Sequence, residues 1–175
     1  MKKLIVVGSG MSAMRVVDEL LALNPSKYQI TVVGDEDSLP YNRIMLSPLL
    51  ANEKTFQDIV THGDEYFTDN NITFMRGLEV IDIHRAGKYV TLSNEELLHY
   101  DKLVLCTGSK AFILPIPGNK TKGVISFRDI NDVAIMKSIP GANKKAVVIG
   151  SGLLGLEAAN GLNEIGFSVT VISNV

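Results

Sequence analysis

The chain has 175 residues, 46% of them hydrophobic and 21% charged, a balance typical of ordinary globular proteins that excludes a disordered chain. Its 17 basic and 19 acidic residues leave a formal net charge of -2, which excludes a strong preference for nucleic acid or an anionic membrane surface. A single cysteine, Cys106, excludes an internal disulfide framework and favours a reducing, cytoplasmic location. No apolar stretch approaches the roughly 18 residues of a membrane span, so we expect none.

The first predicted elements form a β-α-β unit. KLIVV (3–7) is a β-branched run that ends at a glycine, which is typical of a strand buried on both faces of a parallel sheet. Apolar residues then recur at helical spacing from Met11 until NPSK ends the helix. YQITVVG (28–34) predicts the second strand.

A long connection and a small meander follow. Residues 34–56 carry two prolines and little periodicity beyond a possible turn at 44–51, and long connections of this kind are often functional. DEYFTDNNITFM predicts a short helix and a strand. Residues 79–108 alternate apolar and polar residues with turn signals at RAGK and SNEE, which predicts antiparallel strands, and their last run, KLVLC, is typical of a central parallel strand.

The rest of the chain repeats the opening pattern. Residues 111–128 contain prolines and glycines typical of a linker, and a helix is expected at about 129–138. KKAVVIGSGLLGLEAANGLNEIGFSVTVIS then predicts another strand, glycine turn, helix and strand. We therefore predict an α/β protein with a first domain at 1–110, a linker at 111–128 and an incomplete second domain at 129–175.

Each β-α-β unit carries a glycine motif where its first strand meets its helix. The first motif, G-x-G-x-x-A, comprises Gly8, Gly10 and Ala13. The second, G-x-G-x-x-G, comprises Gly150, Gly152 and Gly155. In such motifs the first glycine permits a tight turn, the second lets the backbone approach a pyrophosphate, and the third small residue allows close helix packing. Two motifs in this context indicate two Rossmann-like units and two dinucleotides, although a glycine turn can also serve packing alone.

An acidic residue at the end of the second strand is expected to bind a ribose hydroxyl in such units. VVGDED offers Asp35, Glu36 and Asp37, and we choose Glu36 because the strand is predicted to run through Gly34. A solvated acidic turn is the alternative. In the second unit the sequence ends at VISNV, before the residue that would separate NAD from NADP.

These segments resemble the FAD-dependent pyridine nucleotide oxidoreductases, and most closely the N-terminal portion of the NAD(P)H-dependent nitrite reductase large subunit. NADH:rubredoxin reductases are near relatives. The resemblance covers essentially the whole chain. It depends on GSGMSAMRVVDELL, GDEDSLPYNRIMLSPLL, YDKLVLCTGS, PIPG, FRDINDV and VVIGSGLLGLEAANGL.

The resemblance implies that FAD binds at the first motif. The FAD pyrophosphate would contact the glycine turn, and the adenosine ribose would contact Glu36. Arg43 would approach the FAD phosphates. Arg128 would be a second arginine near FAD, or alternatively a cap for the following helix. The implied FAD residues are Gly8, Gly10, Met11, Ser12, Glu36, Arg43, Val80, Thr107, Gly108 and Arg128.

The resemblance likewise implies that NAD(P)H binds at the second motif, through Gly150, Gly152, Leu154 and Gly155. Glu157 would lie near the junction of nicotinamide and flavin and is the candidate catalytic residue. The alternative is an acid placed in the first turn of the helix, where the helix dipole favours negative charge.

Two departures from relatives narrow the function. One cysteine cannot form the redox pair of the disulfide reductases, and Cys106 within an apolar strand is expected to be buried and inert. Ferredoxin reductases of similar sequence have LSK where this chain has Pro48, which favours the nitrite or rubredoxin branch. The three histidines, at 62, 84 and 99, show no ligand spacing and are expected on the surface or in loops.

Three functions remain open at this stage. The chain is the reductase portion of a nitrite reductase, an NADH-dependent reductase of rubredoxin or a similar carrier, or a non-catalytic nucleotide-binding fragment. Both enzymes would pass hydride from NAD(P)H to FAD and electrons onward to a metal centre or carrier protein. We expect the chain to be a fragment, and we expect its incomplete second domain to self-associate.

Overall fold

The computed structural model describes residues 1–140 and 144–173, so the predicted end of the second unit, at 174–175, lies outside the described residues. Contacts divide the chain into two units. Unit 1 comprises Met1–Asn42 and Val60–Gly108, and unit 2 comprises Arg43–Ile59 and Ser109–Val175. The sequence assigns residues 43–59 to the first domain, whereas the structure packs them with the second.

Unit 1 contains the predicted β-α-β unit at its centre. The helix α1 (Met11–Leu23) connects the strands β1 (Lys2–Val7) and β2 (Tyr28–Gly34). These two strands form a parallel sheet with β3 (Thr73–Arg76) and β7 (Lys102–Leu105), in the order β3-β2-β1-β7. Apolar residues of β1, β2 and α1 form one buried core with residues from the segment that precedes β3. The parallel α/β class and the helix beginning at Met11 are confirmed.

The position of β7 was predicted wrongly. Within the described sheet β7 pairs with β1 and forms an edge, and Leu105 near its end is 57% exposed. An apolar run indicates that a strand is buried on its faces, but it carries no information about neighbours on either side.

The antiparallel meander is confirmed. β4 (Val80–His84), β5 (Tyr89–Leu92) and β6 (Leu97–His99) pair in that order, and the turns that join them place Lys88 and Glu95 at positive φ. Val90 and Leu92 of β5 are fully buried in a second core with residues of β1 and β2.

The helix α4 (Asp64–Asp69) and the loop before it bring Tyr66 and His62 against α1. Tyr66 donates a hydrogen bond to the Asp18 carboxylate at 2.6 Å, and His62 Nε2 lies 3.2 Å from the same oxygen. Burial raises the pKa of the Tyr66 phenol, and the hydrogen bond to Asp18 and its charge raise that pKa further. His62 lies in the loop before α4, as the sequence predicts, and its side chain is half-buried against Asp18.

We expect Tyr66→Phe to flatten the alkaline decline in the stability of unit 1. The pKa of Tyr66 is higher in the folded state, so its contribution is complete below its unfolded pKa of about 10 and is lost as pH rises above that value. The measurement is the free energy of unfolding of both proteins in urea between neutral and strongly alkaline pH. Parallel curves for the variant and the unmodified protein would contradict the assignment.

Unit 2 combines two segments of chain. A 3-10 turn (Arg43–Met45), α2 (Leu46–Leu50) and α3 (Phe56–Ile59) come from the long connection. The linker leads to the helix α5 (Ile130–Ser138). The second β-α-β unit follows, with β8 (Lys144–Ile149), α6 (Leu153–Glu164) and β9 (Phe167–Ile172), and its two strands are parallel. No helix among the described residues is long and apolar enough to cross a membrane.

Candidate dinucleotide sites

The first glycine turn depends on two properties of Gly8. Its φ is +108°, a conformation that residues with a side chain rarely adopt, and its backbone N–H donates to the Val33 carbonyl at 2.7 Å. A Cβ at this position would also collide with the Cys106 carbonyl oxygen, because the chain after β7 passes directly over the turn. Thr107 follows at the same place, so the predicted FAD residues Gly8, Thr107 and Gly108 lie close together.

The N-terminus of α1 is open to an anion. Gly10 caps it in an extended conformation without a side-chain hydrogen bond, and the first turn contains no acidic residue. Met11 and Ser12, the next predicted FAD residues, are exposed there. Unpaired N–H groups and the positive end of the helix dipole suit a pyrophosphate, so the residues present fit this part of a dinucleotide.

The second glycine turn has the same form. Gly150 has a φ of +116°, its N–H donates to Ile172 at 2.8 Å, and Gly152 caps α6 without a side-chain hydrogen bond or an acid in the first turn. A Cβ on Gly155 would collide with the Gly150 carbonyl oxygen, which explains the third glycine. Leu154 is exposed beside this turn. The second site therefore also fits a pyrophosphate.

The helix α5 shows by contrast how a closed N-terminus is built. The Asp129 carboxylate accepts from the Asp132 N–H at 2.9 Å, and the Asp132 carboxylate accepts from the Arg128 N–H at 2.7 Å and from Ser126 Oγ at 2.8 Å. The cap is thus Asp129, and the alternative that Arg128 caps this helix is wrong. Two carboxylates already occupy the place of an anion.

Glu36 lies just beyond the end of β2, as the sequence predicts. Its carboxylate accepts a hydrogen bond from the Tyr41 hydroxyl at 2.6 Å, and its carbonyl accepts from the Gly77 N–H at 3.1 Å. The side chain is half-buried. Tyr41 thus orients the carboxylate of Glu36, the residue predicted to bind the ribose. The sequence carries no signal for this contact, because a tyrosine five positions away has no recognisable pattern.

The remaining predicted FAD residues fall in different places. Val80 belongs to β4 and packs against the second core of unit 1. Arg43 and Arg128 belong to unit 2, where Arg43 Nη1 donates to the Arg128 carbonyl at 3.2 Å and Arg128 Nε donates to the Ser109 carbonyl at 3.1 Å. The structure therefore brings the two arginines together.

Glu157 is the fifth residue of α6, so the alternative of a first-turn acid is wrong. Its carboxylate accepts a hydrogen bond from Ser47 Oγ of α2 at 2.8 Å, and both side chains are part-buried. The sequence analysis missed Ser47 because 110 residues separate the two partners. Among the described residues no cluster of histidine, cysteine and acidic side chains could hold a metal ion.

Comparison with known proteins decides the family. The model of the pyridine nucleotide-disulphide oxidoreductases matches residues 2–175. The chain belongs to this family.

Two relatives from one organism are similar over nearly the whole chain. The NAD(P)H nitrite reductase of Bacillus subtilis (strain 168) is 43% identical over 171 residues, which cover 98% of this chain and 21% of that protein. The assimilatory nitrate reductase electron transfer subunit of the same organism is 40% identical over 98% of this chain and 22% of its own length. The chain thus spans about a fifth of the length of these relatives.

A solved structure supports the fold. The crystal structure of the covalent putidaredoxin reductase-putidaredoxin complex matches with a TM-score of 0.84 and 28% identity, and the match covers 97% of this chain and 42% of that one. The chain is therefore similar to these proteins in fold as well as in sequence.

Cys106 lies directly after β7, beside the first glycine turn. It is the one cysteine in the sequence, and its N–H donates to the Val7 carbonyl at 2.7 Å. Its side chain is half-buried against the core of unit 1, which is less burial than the sequence predicts. Its role is structural, because its backbone carbonyl lies directly against Gly8.

Proposed function

We propose that the chain is the FAD- and NAD(P)H-binding reductase portion of a nitrite reductase large subunit. The observation that carries this proposal is the presence of one open, glycine-capped helix N-terminus in each unit, in a chain that is 43% identical to an NAD(P)H nitrite reductase. In this function the chain takes hydride from NAD(P)H and delivers electrons to a metal centre. FAD, when bound, supplies the conversion of hydride into single electrons.

The FAD site belongs to unit 1 in this proposal. The N–H groups at the start of α1 bind the pyrophosphate, and Glu36, held by Tyr41, accepts the ribose hydroxyls. Thr107 and Gly108 border the same turn. The approach of Arg43 to the FAD phosphates stays a prediction; within unit 2 its guanidinium donates to the Arg128 carbonyl.

The NAD(P)H site belongs to unit 2. The start of α6 binds the second pyrophosphate, Gly150 and Gly155 keep the turn compact, and Leu154 is exposed for apolar contact. Glu157 lies one turn further along the same helix and faces the nicotinamide in this proposal. The preference for NADH or NADPH rests on residues that follow β9.

An electron carrier is the second candidate acceptor. A related assimilatory nitrate reductase subunit is named for electron transfer, and putidaredoxin reductase was crystallised with putidaredoxin. Pro48 favours the nitrite or rubredoxin branch over the ferredoxin reductases that this chain resembles, which have a lysine there. We place the protein in the cytoplasm. Its self-association stays a prediction, for which the exposed apolar residues Val147, Ile149 and Ile172 provide a surface.

The proposed function predicts a yellow protein that NADH bleaches. The purified chain is mixed with FAD, excess cofactor is removed by gel filtration, and the visible spectrum is recorded before and after anaerobic NADH. Retained flavin absorbance supports the site in unit 1, and bleaching supports hydride transfer from unit 2. A protein that retains no FAD would contradict the proposal, and retained flavin that only dithionite reduces would restrict it to FAD binding. An oxidised iron-sulfur carrier protein, compared with ferricyanide as a general acceptor, then tests the second candidate acceptor.

A further inference from the structure

The helix α2 packs closely against α6 where Leu50 contacts Gly161. A Cβ on Gly161 would lie 2.9 Å from the Leu50 Cγ, so the missing side chain makes room for Leu50. Leu50 is fully buried. A glycine in the interior of a helix costs about 1 kcal/mol relative to alanine, and here it allows two helices to approach.

The same two helix faces carry a polar contact. Ser47 and Leu50 are three residues apart on α2, and Glu157 and Gly161 are four residues apart on α6, so each pair shares one face. Ser47 Oγ lies 2.8 Å from Glu157 Oε2 and donates to it. The contact between Leu50 and Gly161 therefore fixes the distance between the Ser47 hydroxyl and the Glu157 carboxylate.

A second helix holds α2 from its C-terminal end. Lys137, in the last turn of α5, donates from its ammonium to the Leu49 carbonyl at 3.1 Å. A cation near the last carbonyls of a helix is favoured by both hydrogen bonding and the helix dipole. The Leu49 carbonyl also accepts from the Asn52 N–H at 3.3 Å. The position of Ser47 is thus fixed within unit 2 by contacts from α5 and α6.

The chemistry of this contact differs from that of an ion pair. A hydroxyl donates one proton and leaves the negative charge of Glu157 uncancelled, whereas an ammonium would neutralise it. Pro48, the next residue, has no side-chain or backbone donor to offer. The contact with Ser47 therefore orients the carboxylate without pairing it with a cation.

We propose that Ser47 is a positioning residue for hydride transfer, which fixes the carboxylate of Glu157 beside the second glycine turn. The inference rests on the proposed function, in which Glu157 faces the nicotinamide. Ser47 itself touches neither cofactor in this assignment. Its loss therefore lowers the rate of hydride transfer more than the affinity for NADH.

The kinetic test uses Ser47→Ala, with Ser47→Thr as the conservative variant. Ser138→Ala is the matched control, because Ser138 Oγ donates to the Ile135 carbonyl on an exposed part of α5. We expect Ser47→Ala to lower the limiting rate of flavin reduction by NADH about 10-fold, with less than about a 2-fold change in the Kd of NADH. Ser47→Thr restores most of the rate, and Ser138→Ala leaves it unchanged. An unchanged rate in Ser47→Ala would overturn the assignment.

A measurement without cofactors separates this inference from the proposed function. In protein with 13C-labelled glutamate carboxylates, the Glu157 resonance is assigned through its loss in Glu157→Gln. We expect this resonance to shift in Ser47→Ala and to stay in place in Ser138→Ala. A resonance that does not move would show that the contact is absent. If the resonance moves but the unmodified protein neither binds FAD nor is reduced by NADH, the proposed function fails, and with it the role of Ser47.

Discussion

Gly8→Ala is expected to destabilise unit 1 by about 3–5 kcal/mol, which combines strain at a positive φ with overpacking against backbone. The φ of +108° disfavours any side chain, and the new Cβ would collide with the Cys106 carbonyl. Relief would require the chain after β7 to move, which would strain the hydrogen bond from Cys106 to Val7. Because a typical domain is stable by only about 5–15 kcal/mol, this loss removes a large share of the stability of unit 1.

The natural control for Gly8→Ala is Gly150→Ala in the second motif. Gly150 has a similar φ of +116°, but a Cβ there would meet nothing within 4 Å, so only the backbone strain of about 1–3 kcal/mol remains.

The five tyrosines provide a probe specific to unit 1, because the sequence has no tryptophan and each tyrosine falls in that unit. We would follow tyrosine fluorescence in urea for Gly8→Ala and far-ultraviolet circular dichroism for Gly150→Ala. Equal losses in the two variants would show that φ, and not the Cys106 carbonyl, decides the cost. The residues that report the unfolding of unit 1 are Tyr28, Tyr41, Tyr66, Tyr89 and Tyr100.

The sequence predicts the local parts of this fold well because they depend on neighbouring residues. The apolar run of β1, the glycine turn and the periodicity of α1 follow one another within 25 residues, and each has its own physical signature. The same holds for the second β-α-β unit. Open helix N-termini are predictable for the same reason, since a glycine in place of a capping side chain is visible in the sequence.

The placement of residues 43–59 could not be predicted in this way. Tyr41 and Val60 form an isolated bridge where the chain leaves unit 1 and returns, and neither residue has a local signature for that contact. The decisive packing joins Leu50 to Gly161, more than 100 positions away. From the sequence alone, Gly161 is a glycine in a helix that lowers the stability of that helix. Only the structure shows that it makes room for Leu50.

The two candidate sites likewise combine local features, which the sequence predicts, with tertiary contacts, which it does not. The glycines of both turns were found from their spacing, whereas the side chains that orient the predicted ligands, Tyr41 for Glu36 and Ser47 for Glu157, were not. A hydroxyl is a common side chain with little positional preference, so spacing does not identify its partner. Positioning residues of this kind depend on tertiary contacts.

Gly152→Asp is expected to abolish NAD(P)H binding while it slightly stabilises the protein. Gly152 is the N-cap of α6 with an extended backbone, a Cβ there would meet nothing within 4 Å, and aspartate is among the preferred N-cap residues. The new carboxylate would bond to the free N–H groups and gain about 0.5 kcal/mol, which includes the favourable dipole interaction. It would also occupy the place of the pyrophosphate with like charge.

Titration of NADH fluorescence and thermal unfolding together test this opposition of stability and binding. We expect the Kd of NADH to rise about 100-fold or more in Gly152→Asp, a loss of about 2.8 kcal/mol, with an equal or higher melting temperature. Gly152→Asn is the matched control, because asparagine caps the helix equally well without the negative charge. It should weaken binding less than aspartate does. Retention of normal NADH affinity by the aspartate variant would place the nicotinamide cofactor elsewhere, and destabilisation in both variants would mean that the turn needs glycine for its own folding.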